Sequence, residues 1–201
     1  MLHAVVSAVA LGVIRTLGDY IWAVMHLRHR MTSGLVHGAV ICLCIGAAIG
    51  IREGRLGRAV AFGPVIGVLA AGLFYLLAPW LRYGAMFPAW MFFWICFAVL
   101  QSNLRGDRQI SLAVARGVAA AILSGAAFYA ISGIWTRPSP GGPDYVRNLW
   151  SWTVAFLPGF LALFFRSGSG LESRKNSPSS SSTGRNPMVF RNSPPVPRFK
   201  T

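Results

Sequence analysis

Six apolar stretches of about bilayer length constrain this chain more than any other feature. A helix that crosses lipid needs about 20 mainly apolar residues, within a range of about 17 to 25. Stretches of this kind cover residues 2–27, 33–51, 59–81, 84–100, 110–135 and 149–165. The short hydrophilic breaks between them predict that consecutive helices are antiparallel neighbours. We therefore predict an all-α fold, a polytopic transmembrane bundle of six helices over residues 1–165.

The composition favours lipid over water as the solvent of these helices. Hydrophobic residues make up 54% of the chain and charged residues 12%, whereas a soluble domain carries about 25% charged residues. The net charge of +14 would indicate nucleic acid in a soluble chain. Here the basic residues stand at the ends of apolar stretches and in the tail, which is typical of attraction to anionic lipid headgroups. We expect the lipid bilayer and its anionic headgroups as partners, and no nucleic acid.

The distribution of Lys and Arg favours an N-in/C-in orientation. With the N-terminus inside, twelve Lys and Arg lie on the cytoplasmic side and five on the other, as the positive-inside rule requires. Seven of the twelve belong to the tail, so the loops alone give five against five. We predict a multi-pass protein of the inner membrane. On the outer side an interfacial aromatic belt is predicted from Trp80, Tyr83, Trp135, Tyr145, Trp150 and Trp152.

The composition changes after residue 165, where Ser, Pro, Arg and Asn replace the apolar residues. A segment of this kind cannot bury enough apolar surface to offset the entropy of ordering the chain. Residues 166–201 are therefore predicted to be a disordered, basic, Ser/Pro-rich cytoplasmic tail. Its run 194–197, Pro-Pro-Val-Pro, fits a polyproline II ligand, although a solvated tail drawn to anionic lipid is favoured.

Small residues recur at intervals of four within three of the stretches. Such spacing lets helix backbones approach closely in a membrane, so we predict packing faces on the second, third and fifth helices. The residues concerned are Gly34, Gly38, Gly46, Gly50, Gly63, Gly67, Gly117, Ala121 and Gly125.

A polar intramembrane site is predicted on the first two helices. Arg15 and Asp19 are four residues apart within the first apolar stretch, hence on one helical face. Each charge alone costs about 2.5 to 3.5 kcal/mol at a helix centre, and embedded ionisable groups are functional candidates by default. His26 shares that face and His37 lies on the returning helix. The alternatives are that the Arg15–Asp19 pair only locks the first helix against its neighbours, or that the long side chains snorkel to the interface.

The chemistry of this predicted site stays open between a proton relay, a metal site and a bis-histidine haem site. We predict no metal and leave the cofactor undetermined, because an interfacial role for His26 is favoured over a ligand role. Near the start of the fifth helix, Arg116 fits a lipid phosphate, with snorkelling to the interface as the alternative.

Three functions are compatible with the sequence. The first is a permease-like or solute-binding membrane protein, with the polar site as its pocket. The second is an accessory or scaffold subunit that binds a protein partner, or a second copy of itself, through the glycine faces and the tail. The third is a membrane-embedded redox or lipid-modifying enzyme that uses His26 and His37. An enzyme is disfavoured, because the sequence has no phosphate-binding Gly loop, zinc motif or nucleophile elbow, and Asp and Glu total only five.

Overall fold

A computed structural model describes residues 1–25, 30–107, 109–135 and 144–165, which form six α-helices. Within this part of the chain, five helices are long and apolar enough to cross a membrane. The predicted all-α fold is confirmed, and the five helices support a multi-pass membrane protein. The predicted tail, residues 166–201, lies outside the described residues. The helices are α1 (Leu2–Met25), α2 (Arg30–Glu53), α3 (Leu56–Leu81), α4 (Met86–Arg105), α5 (Ile110–Trp135) and α6 (Tyr145–Phe164), with a 3-10 helix at Arg82–Ala85.

Several helices extend beyond the apolar stretches that predict them. α4 continues to Arg105, and α6 begins at Tyr145 instead of residue 149. Backbone hydrogen bonds define a helix, so polar residues prolong it beyond its lipid-compatible part. Gly106, in the left-handed region with φ +78°, ends α4, as glycine commonly does. The side chain of Asp144 caps α6 by accepting a 3.0 Å hydrogen bond from the Arg147 N–H.

The helices form a closed ring. Consecutive helices pack side by side, and α6 returns to pack against α1. The start of α1 and the end of α6 lie together, since the rings of His3 and Phe164 are 5.3 Å apart. We call this side the clamp end. The opposite side, where α1, α3 and α5 end and α2, α4 and α6 begin, is called the cavity end.

α6 combines the most polar start with extensive burial. It is not among the five helices apolar enough to cross a membrane, and its first two turns contain Arg147, Asn148 and Ser151. Nine of its 20 residues are nevertheless buried. The Ser124 hydroxyl of α5 donates a hydrogen bond to the carbonyl of Ala155. Contacts with other helices therefore hold α6, where its own composition would not favour lipid.

Aromatic side chains fill the interior between α4 and α6. Trp90 stacks on Phe156 with ring centroids 5.5 Å apart and an interplanar angle of 14°. One turn further, Trp94 meets Phe160 edge-on at 5.8 Å. Such pairs contribute about 0.5–1.5 kcal/mol each beyond their buried area. They fix α6 beside α4, although the two helices are not consecutive.

The glycines of α2 and α3 lie on one shared seam. A Cβ added to Gly38 would stand 2.9 Å from the carbonyl oxygen of Gly67, and one added to Gly46 would stand 2.5 Å from that of Ala59. Side chains larger than hydrogen would push the two backbones apart. The structure thus brings together most of the predicted packing glycines of these helices, namely Gly38, Gly46, Gly50, Gly63 and Gly67.

The other predicted packing glycines face different partners. Gly34 of α2 lies against the Tyr75 hydroxyl of α3, so it makes room for a side chain. On α5, a Cβ at Gly117 would stand 2.5 Å from the Cα of Ile95 in α4. Gly125 is more open, because its added Cβ would be 3.5 Å from the Phe87 ring. The close backbone approach of α5 is therefore to α4 and centres on Gly117.

Candidate functional site

The charged part of the predicted site lies one helical turn apart on α1. The Arg15 guanidinium pairs with the Asp19 carboxylate, and their side chains are 22% and 32% exposed. α6 supplies two further contacts: the Asn148 amide donates a 2.8 Å hydrogen bond to Asp19, and the Arg15 guanidinium lies 4.5 Å from the centroid of the Trp152 ring. The four groups form a network between α1 and α6 that carries no net charge.

His37 stands opposite this network, on α2. Its imidazole packs directly against Gly18 of α1, where an added Cβ would come within 2.6 Å of the His37 Cε1. Only glycine at position 18 leaves the ring this room. The His37 Nε2 atom is buried and, within the described residues, has no hydrogen-bond partner. The imidazole therefore occupies the boundary between α1 and α2 without a polar contact at Nε2.

A cavity of about 350 Å³ separates the network from α2 and α3. Its polar lining consists of Arg15, Asp19, His37 and Tyr75. Small side chains of α2 and α3 lie opposite large aromatic side chains of α3, α4 and α6 across the cavity. Because the small side chains do not reach the aromatic ones, the space between them stays unfilled. The small residues are Gly34, Gly38, Gly67, Ala70 and Ala71, and the rings are Phe74, Trp90, Phe93, Trp152 and Phe156.

Trp152 differs from its predicted role. We predicted it as a member of the outer interfacial belt, whereas it is only 6% exposed and lines the cavity. The reason is its helical phase: Trp150, two residues earlier, points outward with 63% exposure, and residues two apart on a helix do not share a face. Trp80 is exposed, as a belt residue would be. The side chains of Tyr83 and Trp135 lie outside the described part.

A second, apolar space lies between α1 and α2 on the surface that faces away from the bundle interior. It measures about 440 Å³ and is bounded mainly by aliphatic side chains, including Leu17, Ile21, Val36 and Val40. These four side chains are between 42% and 58% exposed, so they face the surroundings of the bundle. We call this space the seam groove. His37 also lines it, and His37 is the one described residue that lines both spaces.

The clamp end has a polar cluster that the sequence analysis missed. Glu53 of α2 accepts hydrogen bonds from Arg105 at 2.6 and 2.9 Å and from Gln101 at 2.9 Å. Arg52 donates a 2.8 Å hydrogen bond to the carbonyl of Phe164. These contacts tie α2 to α4 and α6. Residues 48 to 52 positions apart in sequence meet here, so helical spacing gave no signal of the cluster.

Two further residues of the predicted set remain to be placed. His26 lies outside the described residues. Arg116 lies in the second turn of α5, near the clamp end, and does not line the cavity. Within the described ranges, no group of three or more His, Cys, Asp or Glu is arranged to hold a metal ion. Of the predicted polar site, the structure therefore places Arg15, Asp19 and His37 around one cavity.

Fold and site together define the class of this molecule: a helical bundle compatible with a small integral membrane protein, with a mainly apolar cavity and a neutral ion-pair network at one end. Comparison with protein-family models, with curated proteins and with solved structures finds no match to this chain.

Proposed function

We propose that this protein is a permease-like or solute-binding membrane protein whose cavity takes a compact, mainly apolar ligand of zero net charge. The observation that carries the proposal is the convergence of Arg15, Asp19 and His37 on an aromatic-walled cavity of about 350 Å³. Ligand sites are typically apolar spaces of about 300 to 1,000 Å³ with a few placed polar groups. The cavity is near the lower bound, which favours a small ligand.

The charge of the ligand follows from the Arg15–Asp19 pair. The two side chains neutralise each other, so a ligand with a net charge would remain uncompensated in a poorly solvated space. A hydroxyl or amide, in contrast, finds donors and acceptors in the ion pair, in the Tyr75 hydroxyl and in His37. An uncharged ligand with one small polar group therefore fits best.

Three probes that share a brominated benzene ring and differ in charge test this proposal: para-bromobenzyl alcohol, para-bromobenzoate and para-bromobenzylammonium. Their bromine quenches the fluorescence of nearby tryptophans, and Trp90 and Trp152 line the cavity. In lipid nanodiscs we expect the alcohol to bind at least about tenfold more tightly than either ion, because an uncompensated charge at membrane depth costs about 2.5–3.5 kcal/mol. Tighter binding of either ion would contradict the neutral-ligand proposal.

Ala70→Leu should abolish the specific quenching by para-bromobenzyl alcohol. Ala70 is 6% exposed and lines the cavity, so the larger side chain occupies ligand space. Ala61→Leu is the matched control: it makes the same change on the outward face of the same helix, where position 61 is exposed. If both variants quench like the parent protein, the probe reports partition into lipid, and the cavity is not the binding site.

We further propose that the protein resides in the inner membrane with both termini in the cytoplasm. The excess of Lys and Arg on one side supports this orientation. The position of His3 beside Phe164 supports only that the start of α1 and the end of α6 share one side of the membrane. Arg116, near the same end, would then face anionic headgroups of the inner leaflet.

The proposed orientation, with both termini in the cytoplasm, predicts the outcome of reporter fusions at residue 201. A green fluorescent protein placed there should fluoresce, since it folds in the cytoplasm, and an alkaline phosphatase at the same position should stay inactive. The same pair of reporters fused after residue 139, in the connection between α5 and α6, should give the reverse result. Active phosphatase at residue 201 would overturn the proposed orientation.

A further inference from the structure

The cavity and the seam groove are separate spaces that meet at one side chain. The seam groove opens between α1 and α2 on the outward face of the bundle, and the cavity lies inside the helix ring. His37 lines both, and its imidazole rests against the bare backbone of Gly18. At this level of the bundle the imidazole is therefore the partition between the interior and the lipid-facing surface.

Of the contacts that α1 and α2 make with their neighbours in the helix ring, the contact between α1 and α2 is the least extensive. α2 is joined to α3 along the glycine seam, where backbone meets backbone at Gly38 and Gly67. α1 is joined to α6 through Asp19 and Asn148. Among the described residues, α1 and α2 make few contacts with each other, and at the cavity end these include the ring of His37 against Gly18. The pairs α1–α6 and α2–α3 can thus separate here while the clamp end stays closed.

We propose that the ligand enters and leaves the cavity sideways from the bilayer, through the α1–α2 seam, and that the His37 side chain is the movable partition. This inference rests on the proposed function and adds the ligand class, a neutral molecule that partitions into lipid. The apolar lining of the seam groove matches such a molecule.

The local chemistry permits the imidazole to move. A side chain changes position by rotation about χ1 and χ2 between staggered wells. Within the described residues the Nε2 atom of His37 has no hydrogen-bond partner to break. Gly18 offers no Cβ that would block the ring from sliding across the seam. Displacement of one ring therefore joins the seam groove to the cavity.

Stopped-flow tryptophan quenching by para-bromobenzyl alcohol in nanodiscs tests the partition. For His37→Ala we expect both the association and the dissociation rate constants to rise at least about threefold, as removal of a rotamer barrier implies. Val68→Ala is the control, since Val68 of α3 is 42% exposed and lines neither the seam groove nor the cavity, and its rates should stay at the parent values. A rise in the dissociation rate alone would make His37 a mere binding contact and would overturn the proposal.

A second pair of variants covers the case in which His37→Ala fails to fold. Gly18→Ala adds a methyl group 2.6 Å from the imidazole, whereas Gly72→Ala adds one where nothing lies within 4 Å. We expect Gly18→Ala to change both rate constants by a common factor and Gly72→Ala to change neither. Unchanged rates in Gly18→Ala would overturn the lateral route. If the parent protein shows no specific quenching at all, the proposed function itself fails, and the two failures are thereby distinguished.

Discussion

Gly67→Ala should lower the free energy of unfolding by about 3 kcal/mol, the upper part of the range for overpacked interiors. The added methyl group would collide with the carbonyl oxygen of Gly38 and stand 2.9 Å from the Cα of Ala39. Both neighbours are backbone atoms, which cannot turn aside as a side chain can. The two helices must therefore move apart along their whole seam. The measurement is reversible unfolding in mixed detergent micelles, followed by circular dichroism.

Gly72→Ala is the control for this experiment, five residues further along the same helix. A methyl group there meets nothing within 4 Å, and alanine has a higher helix propensity than glycine by about 1 kcal/mol. We expect its stability to equal or slightly exceed that of the parent protein. Equal stability of the Gly67 and Gly72 variants would show that α2 and α3 are not in backbone contact.

Glu53→Gln should destabilise the bundle by about 2 kcal/mol, less than the roughly 3–5 kcal/mol for breaking a fully buried ion pair, because this pair is part-buried. The Glu53 and Arg105 side chains are only 11% and 14% exposed, so water replaces the lost partner poorly. The substitution leaves the guanidinium of Arg105 without its counter-charge and weakens the link between α2 and α4. The same detergent unfolding assay measures the loss. Asp107→Asn, at an exposed position near the same end, is the control and should have little effect.

A double variant distinguishes two causes of the stability loss in Glu53→Gln: loss of the ion pair, or misfolding of the helix end. Removal of both charges, by Glu53→Gln with Arg105→Leu, takes away the uncompensated guanidinium that makes the single change costly. The double variant should therefore be more stable than Glu53→Gln alone, with a coupling of about 1 kcal/mol or more. If the two single losses simply add, the clamp end does not depend on this ion pair.

Much of the fold and part of the site could be predicted from the sequence, because both depend on local spacing. The Arg15–Asp19 pair follows from a separation of four residues, which any helix places on one face. The all-helical architecture follows from the lengths of the apolar stretches. The partners of the pair could not be predicted in this way. Asn148 lies 129 residues from Asp19 in sequence, and its contact depends on α6 packing against α1.

The same reason explains the two largest differences from the sequence-based expectation. Glu53 follows Arg52 at the end of an apolar stretch, where a charged residue normally contacts water. Gln101 and Arg105 become its partners only because α4 packs near the end of α2. Trp152 matched an interfacial residue by its position along the chain. Its burial depends on which face of α6 points into the helix bundle, and tertiary packing determines this orientation.

The uneven character of α6 has a consequence for how the protein is made. Its composition suits lipid less well than that of the other five helices, yet it contributes Trp152 and Phe156 to the cavity wall. During synthesis the earlier helices can enter the bilayer as they leave the ribosome, whereas α6 depends on α1 and α5 to receive its buried face. The cavity is thus completed last, when α6 packs against α1.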